Sequence, residues 1–150
     1  MVALSTNYDT DRRRGEGLPG GPVRKEPVDE PIRRALSRGH TIDITTIGRK
    51  TGRLRRIELV FHVIDGRIYL SGLAGRPRGW LANLRANGDF TFHLKRVVRA
   101  DLPAHARVIS DEVERRRIFR EIAKVWTTQD VERMVASSPL AEVTILEQAA

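Results

Sequence analysis

A basic turn bracketed by glycines and set between two β-like runs constrains this chain more than any other stretch. In TTIGRKTGRLRRIEL, Thr45 to Leu59, a β-branched run ends at Gly48, and a second run after Gly52 carries Arg55 and Arg56 onward. Arg49, Lys50 and Thr51 lie between the two glycines. Glycine lets the main chain bend sharply and expose successive N–H groups, and the resulting concavity suits an anion. Lysine adds a point charge, arginine a planar fork and threonine a neutral donor. A phosphate fits such a loop, although a Gly-x-x-x-Gly stretch in a basic protein is also an ordinary hairpin turn. The glycine and lysine spacing differs from that of a nucleoside-triphosphate P-loop.

Charge sets the context for this turn. The 150 residues carry a formal net charge of +8. That predicts an acidic partner: nucleic acid, an anionic membrane surface or a polyanionic small molecule. The length suits one domain with a real core, and the composition, 40% hydrophobic and 31% charged, is that of a globular chain. There is no cysteine, which excludes disulfides, thiolate metal sites and cysteine nucleophiles. No apolar run approaches the ~20 residues of a transmembrane helix, and the N-terminus has no signal-peptide core. The expected location is the cytoplasm, or the periphery of an anionic membrane surface.

Residues 1–28 are predicted to form a flexible basic arm, containing Arg12, Arg13 and Arg14 and then GEGLPGGP, with few large apolar side chains to bury. A single domain is expected over 29–150. It opens with a short helix from Asp29-Glu30-Pro31 to Gly39, with Ile32, Ala35 and Leu36 on its apolar face. Strands are predicted at Thr41–Ile47, Arg55–Ile64, Arg67–Ser71, Asp89–Lys95, Val97–Ile109 and Ala141–Leu146. Asp65-Gly66 is a two-residue hairpin turn, and Pro103 predicts a sheet edge or a bulge. Helices are predicted over Gly79–Asn87, over Asp111–Val125 behind an Asp111…Glu114 capping box, and from Thr127 or Thr128 to Val135. Strand and helix do not alternate regularly, which disfavours a doubly wound sheet. The pattern favours a mainly β (α+β) fold, an antiparallel barrel with packed helices.

The four histidines, His40, His62, His93 and His105, lack metal-ligand spacing and are assigned structural or surface roles. No metal site is expected. No serine occupies a nucleophile elbow, and no carboxylate pair suggests hydrolysis. Asp43 and Glu58 fall on neighbouring strands. Trp80 follows a second basic loop, GRPRG, so it suits either the core or the border of a planar anionic cofactor. Phe90 and Phe92 alternate as stacking residues would, although the familiar RNA-binding signatures are absent.

TTIGRKTGRLRRIEL, the hairpin ending in LSG, and PRGWLANLRANGDFTFHL together resemble the deazaflavin-dependent nitroreductase family, over about Thr41 to Leu94. Those proteins share the FMN-binding, flavin-reductase-like split β-barrel and use the reduced deazaflavin coenzyme F-420. The resemblance implies that Arg49, Lys50, Thr51 and Gly52 hold the coenzyme phosphate with Arg55 alongside. It implies that Ser71 and Gly72 lie near the deazaflavin ring, and that Trp80 and Asn83 border the cofactor. The coenzyme's phosphate and glutamate tail give the charge of +8 a target. Three departures stand out: Leu81 in place of a tyrosine, Gly88 in place of a proline, and LRRIE in place of a proline-containing run. In addition, VWTTQDVE (Val125–Glu132) lacks the tyrosines that line the family's acceptor pocket. Trp126 and Thr128 are the candidate catalytic groups there.

The resulting expectation is an oxidoreductase that uses reduced F-420 to pass a hydride to a quinone, enone or nitroaromatic. Its partners would be the anionic coenzyme and a small-molecule acceptor, with no specific nucleic acid and with room for a homodimer. The alternatives are the same barrel binding FMN, a basic nucleic-acid-binding module and a non-catalytic coenzyme carrier.

Overall fold

Period-two patterning builds the sheet. In the computed structural model, which describes residues 30–76 and 78–146, β1 (Thr41–Ile47) buries Ile42, Ile44 and Thr46 and turns Asp43, Thr45 and Ile47 to its outer face. The predicted arm over residues 1–28 lies outside the described residues. β2 (Leu54–Ile64) carries Ile57, Leu59, Phe61 and Val63 inward against the same core. β3 (Arg67–Ser71) returns through Asp65-Gly66, both at positive φ (53° and 75°), the backbone of a type I′ turn.

β4 (Asp89–Leu94), β5 (Ala100–Val108) and β6 (Leu140–Ile145) complete a closed antiparallel barrel in the order β1-β2-β3-β6-β5-β4. β2 changes partner along its length: Leu54 to Val60 pair with β1, whereas Phe61 to Ile64 pair with β3. β3 ends at Ser71, so the edge of β2 from Leu54 to Leu59 that faces away from β1 has no strand beside it among the described residues. The split of the barrel lies there.

Helix α2 (Gly79–Ala86) lies against β1 and β5, with Trp80 and Leu84 in the barrel core. α3 (Glu112–Ile122) and α4 (Val131–Ser137) form a second layer outside the sheet, around Tyr69, Phe119, Ile122 and Met134. Arg115 pins this layer. Its guanidinium donates to the carbonyls of Ile109 (2.9 Å), Met134 (3.1 Å), Val135 (2.8 Å) and Ser138 (2.6 Å) and lies over the Phe119 ring. Two of those carbonyls belong to the last turn of α4: Met134 O also accepts from Ser138 N (2.9 Å), whereas Val135 O depends on Arg115.

Several boundaries differ from expectation. α1 spans only Glu30–Ala35, because the His40 ring already lies 2.9 Å from the Ala35 carbonyl, where a longer helix would run. β5 starts at Ala100 rather than Val97, and Val97 is 94% exposed at the tip of the β4–β5 turn. α3 stops at Ile122, and α4 starts at Val131 rather than at Thr127 or Thr128. Bonds from Val125 and Trp126 to Ile122, and from Gln129 to Trp126, commit the intervening backbone to a tight turn. Asp111 caps α3 through Glu114 N (2.9 Å), but the Glu114 carboxylate goes to Arg107 instead of closing the box. Pro103 lies at a local edge of β5, as expected, and without a bulge; its carbonyl accepts from Leu146 N (2.9 Å). It pairs with Thr91 in an unbroken β4–β5 register, just beyond the last β5–β6 pair, where no ladder bond needs its missing N–H.

Arg115→Met should keep the apolar stem and take the side-chain donor away from the carbonyls of Val135 and Ser138. We expect a stability loss of about 2–4 kcal/mol, measured by urea denaturation, since bonds from a charged donor contribute roughly 1.5–3 kcal/mol each and are not additive.

Candidate functional site

The Gly48–Gly52 turn is closed by its own backbone. Gly48 N donates to Arg53 O (2.7 Å), Gly52 N donates to Gly48 O (2.8 Å), and Gly52 takes φ +75°. A Cβ at Gly48 would stand 2.9 Å from Arg53 O, so only glycine lets the two arms approach this closely. Thr51 Oγ1 accepts from Arg53 N (3.1 Å), which leaves its hydroxyl hydrogen to donate outward. Arg49, Lys50, Arg53 and Arg55 are all exposed, and none is paired with a carboxylate among the described residues. Arg56, next along β2, is different: Asp43 holds it at 3.0 Å.

Asn83 fixes this turn to the helix. Its side chain is 5% exposed. Oδ1 accepts from both Arg49 N and Arg49 Nη1 (3.1 Å each), and Nδ2 donates to Thr46 Oγ1 (3.1 Å). At the other end of α2, the Arg78 guanidinium lies against Gly72, where a Cβ would come within 2.7 Å of Nη2. Arg78 donates to the carbonyls of Arg76 (2.7 Å) and Leu73 (3.1 Å), and burial together with Arg76 lowers its pKa. Asn83 and Arg78 are five residues apart, about 7.5 Å along a helix axis. Through Asn83 and Arg78, α2 therefore touches both the basic turn and the end of β3, and these three elements frame the candidate face. Arg78 was not singled out from the sequence, although GRPRG was recognised as a basic loop.

Other predicted residues fall into place around this face. Ser71 is buried, and its hydroxyl donates to Pro139 O (2.9 Å), which ties β3 to the start of β6. Gly72 is half-buried beside Arg78. The Trp80 side chain is in the barrel core, 8% exposed, so α2 borders the site through its ends and through Asn83.

Trp126 is half-buried on the α3–α4 turn, and Thr128 is exposed three residues short of α4. The Trp126 ring meets His62 edge-on, with centroids 4.7 Å apart at 82°. His62 pairs with Tyr69 on β3. Continuing that register sets Val60 opposite Ser71, so His62 and Ser71 are diagonal neighbours on one sheet face, roughly 7–8 Å apart. This imidazole, treated in the sequence as structural or surface, is 7% exposed, and its Nε2 has no hydrogen-bond partner. Burial pushes its pKa down to about 4. The available signal was position: His62 alternates with Val60 and Ile64 on the face that the second layer covers.

The remaining polar clusters are elsewhere. Lys95 bridges Asp43 and Glu58, directly paired on β1 and β2, and these contacts lower the Asp43 pKa and raise that of Lys95. His93 donates from Nδ1 to Asp101 (2.7 Å), while the Thr45 hydroxyl lies 2.6 Å from its Nε2. His105 pairs with Asp89. A cleft of about 680 Å³ between α2 and the outer face of β5 and β6 contains none of the predicted site residues. Phe90 and Phe92 point into the barrel, which removes the stacking platform that a nucleic-acid reading needs. Among the described residues, no cluster suits a metal ion, and no helix is long and apolar enough to cross a membrane.

A six-stranded split barrel with an anion-suited turn beside its open edge defines a cofactor-binding protein of the flavin-reductase-like class. The F420H(2)-dependent quinone reductase family model matches residues 24–148, and the chain belongs to that family. It is thus a reductase of the class that draws its electrons from F420H2. Among solved structures it is similar to the conserved hypothetical protein Rv2991 from Mycobacterium tuberculosis, with 18% identity, 76% of this chain and 78% of that one covered, and a TM-score of 0.59. It is also similar to a Listeria innocua protein provisionally assigned as a pyridoxamine 5′-phosphate oxidase (16%, 78% and 96%, 0.53). A third neighbour is an FAD-binding protein from Mesorhizobium loti (13%, 75% and 86%, 0.50). At these identities the structural likeness establishes the fold. No curated protein matches the sequence.

The buried neutral His62 carries a pH signature. Its folded pKa, about 4, lies below the ordinary 6.5, so the unfolded chain binds the extra proton first. Stability should be full above about pH 6.5 and fall as pH drops toward 4, by at most about 3 kcal/mol. His62→Leu should flatten that part of the stability–pH curve in chemical denaturation.

Proposed function

We propose that this protein reduces a quinone with F420H2, binding the coenzyme phosphate at Arg49–Gly52 and its ring beside Ser71 and Gly72. The observation that carries this reading is the set of exposed, unpaired cations on a turn that Asn83 locks to α2. Fixed donors cost little reorganisation when an anion arrives. Arg49 and Lys50 supply charge-assisted bonds to the phosphate, Thr51 a neutral donor, and Arg55 a further charge from β2. Arg78 holds the backbone after β3 close to Gly72, and a side chain at that glycine would displace it. The glutamate tail of the coenzyme extends over the basic surface outside the turn.

When bound, the reduced coenzyme supplies a hydride to the electron-poor acceptor. The chain's own residues bind, orient and exclude water. Trp126 offers an aromatic wall on the acceptor side, and Thr128 a hydroxyl at its exposed rim. VWTTQDVE has no phenol to act as a proton source. Quinones need less proton assistance than nitro groups, and the quinone is therefore the favoured acceptor.

Two measurements test this. Arg49→Ala with Lys50→Ala should weaken F420 binding by several kcal/mol in a fluorescence titration, at about 1.5–3 kcal/mol for each charge-assisted bond. Added salt should weaken wild-type binding, because exposed charges are screened over about 8–10 Å. FMN is the control ligand, and preference for FMN, or an unchanged affinity in the folded double variant, would refute the assignment. In steady-state assays with F420H2, a simple quinone should turn over faster than a bicyclic nitroimidazole. Thr128→Val should slow quinone reduction by about tenfold or less, equivalent to roughly 1.4 kcal/mol of barrier.

A further inference from the structure

We infer that His62 is the group that binds the quinone oxygen, through the Nε2 that the folded chain leaves buried and unpartnered beneath Trp126. Within the described residues, the buried side-chain polar atoms without a partner are His62 Nε2 and Ser138 Oγ. Leaving such an atom unpaired costs roughly 1–3 kcal/mol, so a purely structural role would favour an apolar side chain at position 62. That position is on the outer face of β2, in the layer formed by Tyr69, Ile64 and Trp126, where leucine or phenylalanine would pack without penalty.

The location points to the acceptor. His62 is diagonal to Ser71, at the end of β3 where the proposed ring site begins, and its other flank is the Trp126 ring. Trp126 sits on the short turn between α3 and α4, next to the exposed side chains of Val125 and Thr127. In this proposal the quinone carbonyl takes the place of the Trp126 edge over Nε2, and the displaced indole ring lines the acceptor as its aromatic wall. Burial keeps the imidazole neutral at ordinary pH, so it acts as a hydrogen-bond donor and not as an acid.

The step balances as follows. A hydride from F420H2 adds to the quinone and leaves a hydroquinone monoanion. His62 Nε2–H donates a hydrogen bond to the oxygen on which that charge develops, and a proton from water completes the hydroquinone. The coenzyme would lose two electrons with the hydride and give its remaining proton to water, so that F420H2 and quinone become F420 and hydroquinone.

The inference rests on the proposed quinone reduction, and the test separates the two. In the first arm, coenzyme-free protein labelled with 15N on histidine is titrated with menadione. The His62 Nε2 resonance should shift in a saturable manner. In the second arm, His62→Leu should unfold at a higher temperature than wild type and keep its F420 affinity. Its kcat/KM for menadione should fall by about tenfold to a hundredfold, the loss of one hydrogen bond to a developing charge. His62→Asn, which retains a donor, should recover most of that loss. A His62 resonance indifferent to menadione, or a His62→Leu enzyme with unchanged kcat/KM, would overturn the role of His62. A His62 shift in a protein that never oxidises F420H2 would instead overturn the quinone reductase reading while leaving the binding role in place.

Discussion

The change of partner along β2 is the constraint on which the rest of the molecule depends. Every strand of a closed barrel has two neighbours, but β2 meets its two in succession, giving its first half to β1 and its second half to β3. Closure buries Ile44, Phe61, Phe92 and Leu102 in one core and removes most of the sheet's free edges. The same step leaves the first half of β2 without a second strand beside it among the described residues. The basic turn, the end of β3 and α2 all gather at that opening. The candidate site is thus a consequence of how the sheet closes.

Arginines do two kinds of work here, and their partners separate them. Arg115 gives its guanidinium to backbone carbonyls, and Arg107 gives its own to Glu114 and Glu142, so both are spent on the fold. Arg49, Lys50, Arg53 and Arg55 keep their charge facing solvent beside the split. A net charge of +8 says only that cations are in excess. Their distribution over the fold decides which of them an anionic ligand meets. Asn83 matters for this reason, since a neutral, buried amide costs little to desolvate when all its bonds are made and holds Arg49 in one geometry.

Local chemistry was legible wherever neighbours in sequence decide the outcome. The Asp65-Gly66 turn, the alternation of β1 and β2, the Gly48–Gly52 turn and the extent of α2 follow from turn propensity and period-two or helical patterning. TTIGRKTGRLRRIEL, the hairpin ending in LSG and PRGWLANLRANGDFTFHL, in that order, were enough to indicate the family, and the match over residues 24–148 agrees with it. Boundaries were less legible. Thr127 and Thr128 have the chemistry of helix caps, but hydrogen bonds back to Ile122 hold that segment in a turn.

What the sequence by itself determined is therefore the inventory: strands, turns, a surplus of cations, the coenzyme class and the residues of the basic turn. Tertiary structure alone decided the meeting of Asn83 with Arg49, the placing of Arg78 over Gly72, and the burial of His62 beside Trp126. These contacts join residues 34, 6 and 64 positions apart in the chain. Closure of the barrel sets the longer ones, and neither composition nor local spacing carries that information. An orphaned imidazole nitrogen is the clearest case. Partnering and solvation are properties of the folded interior, and a histidine in a β-like run looks the same in sequence whether its nitrogen is satisfied, wet or waiting for a ligand.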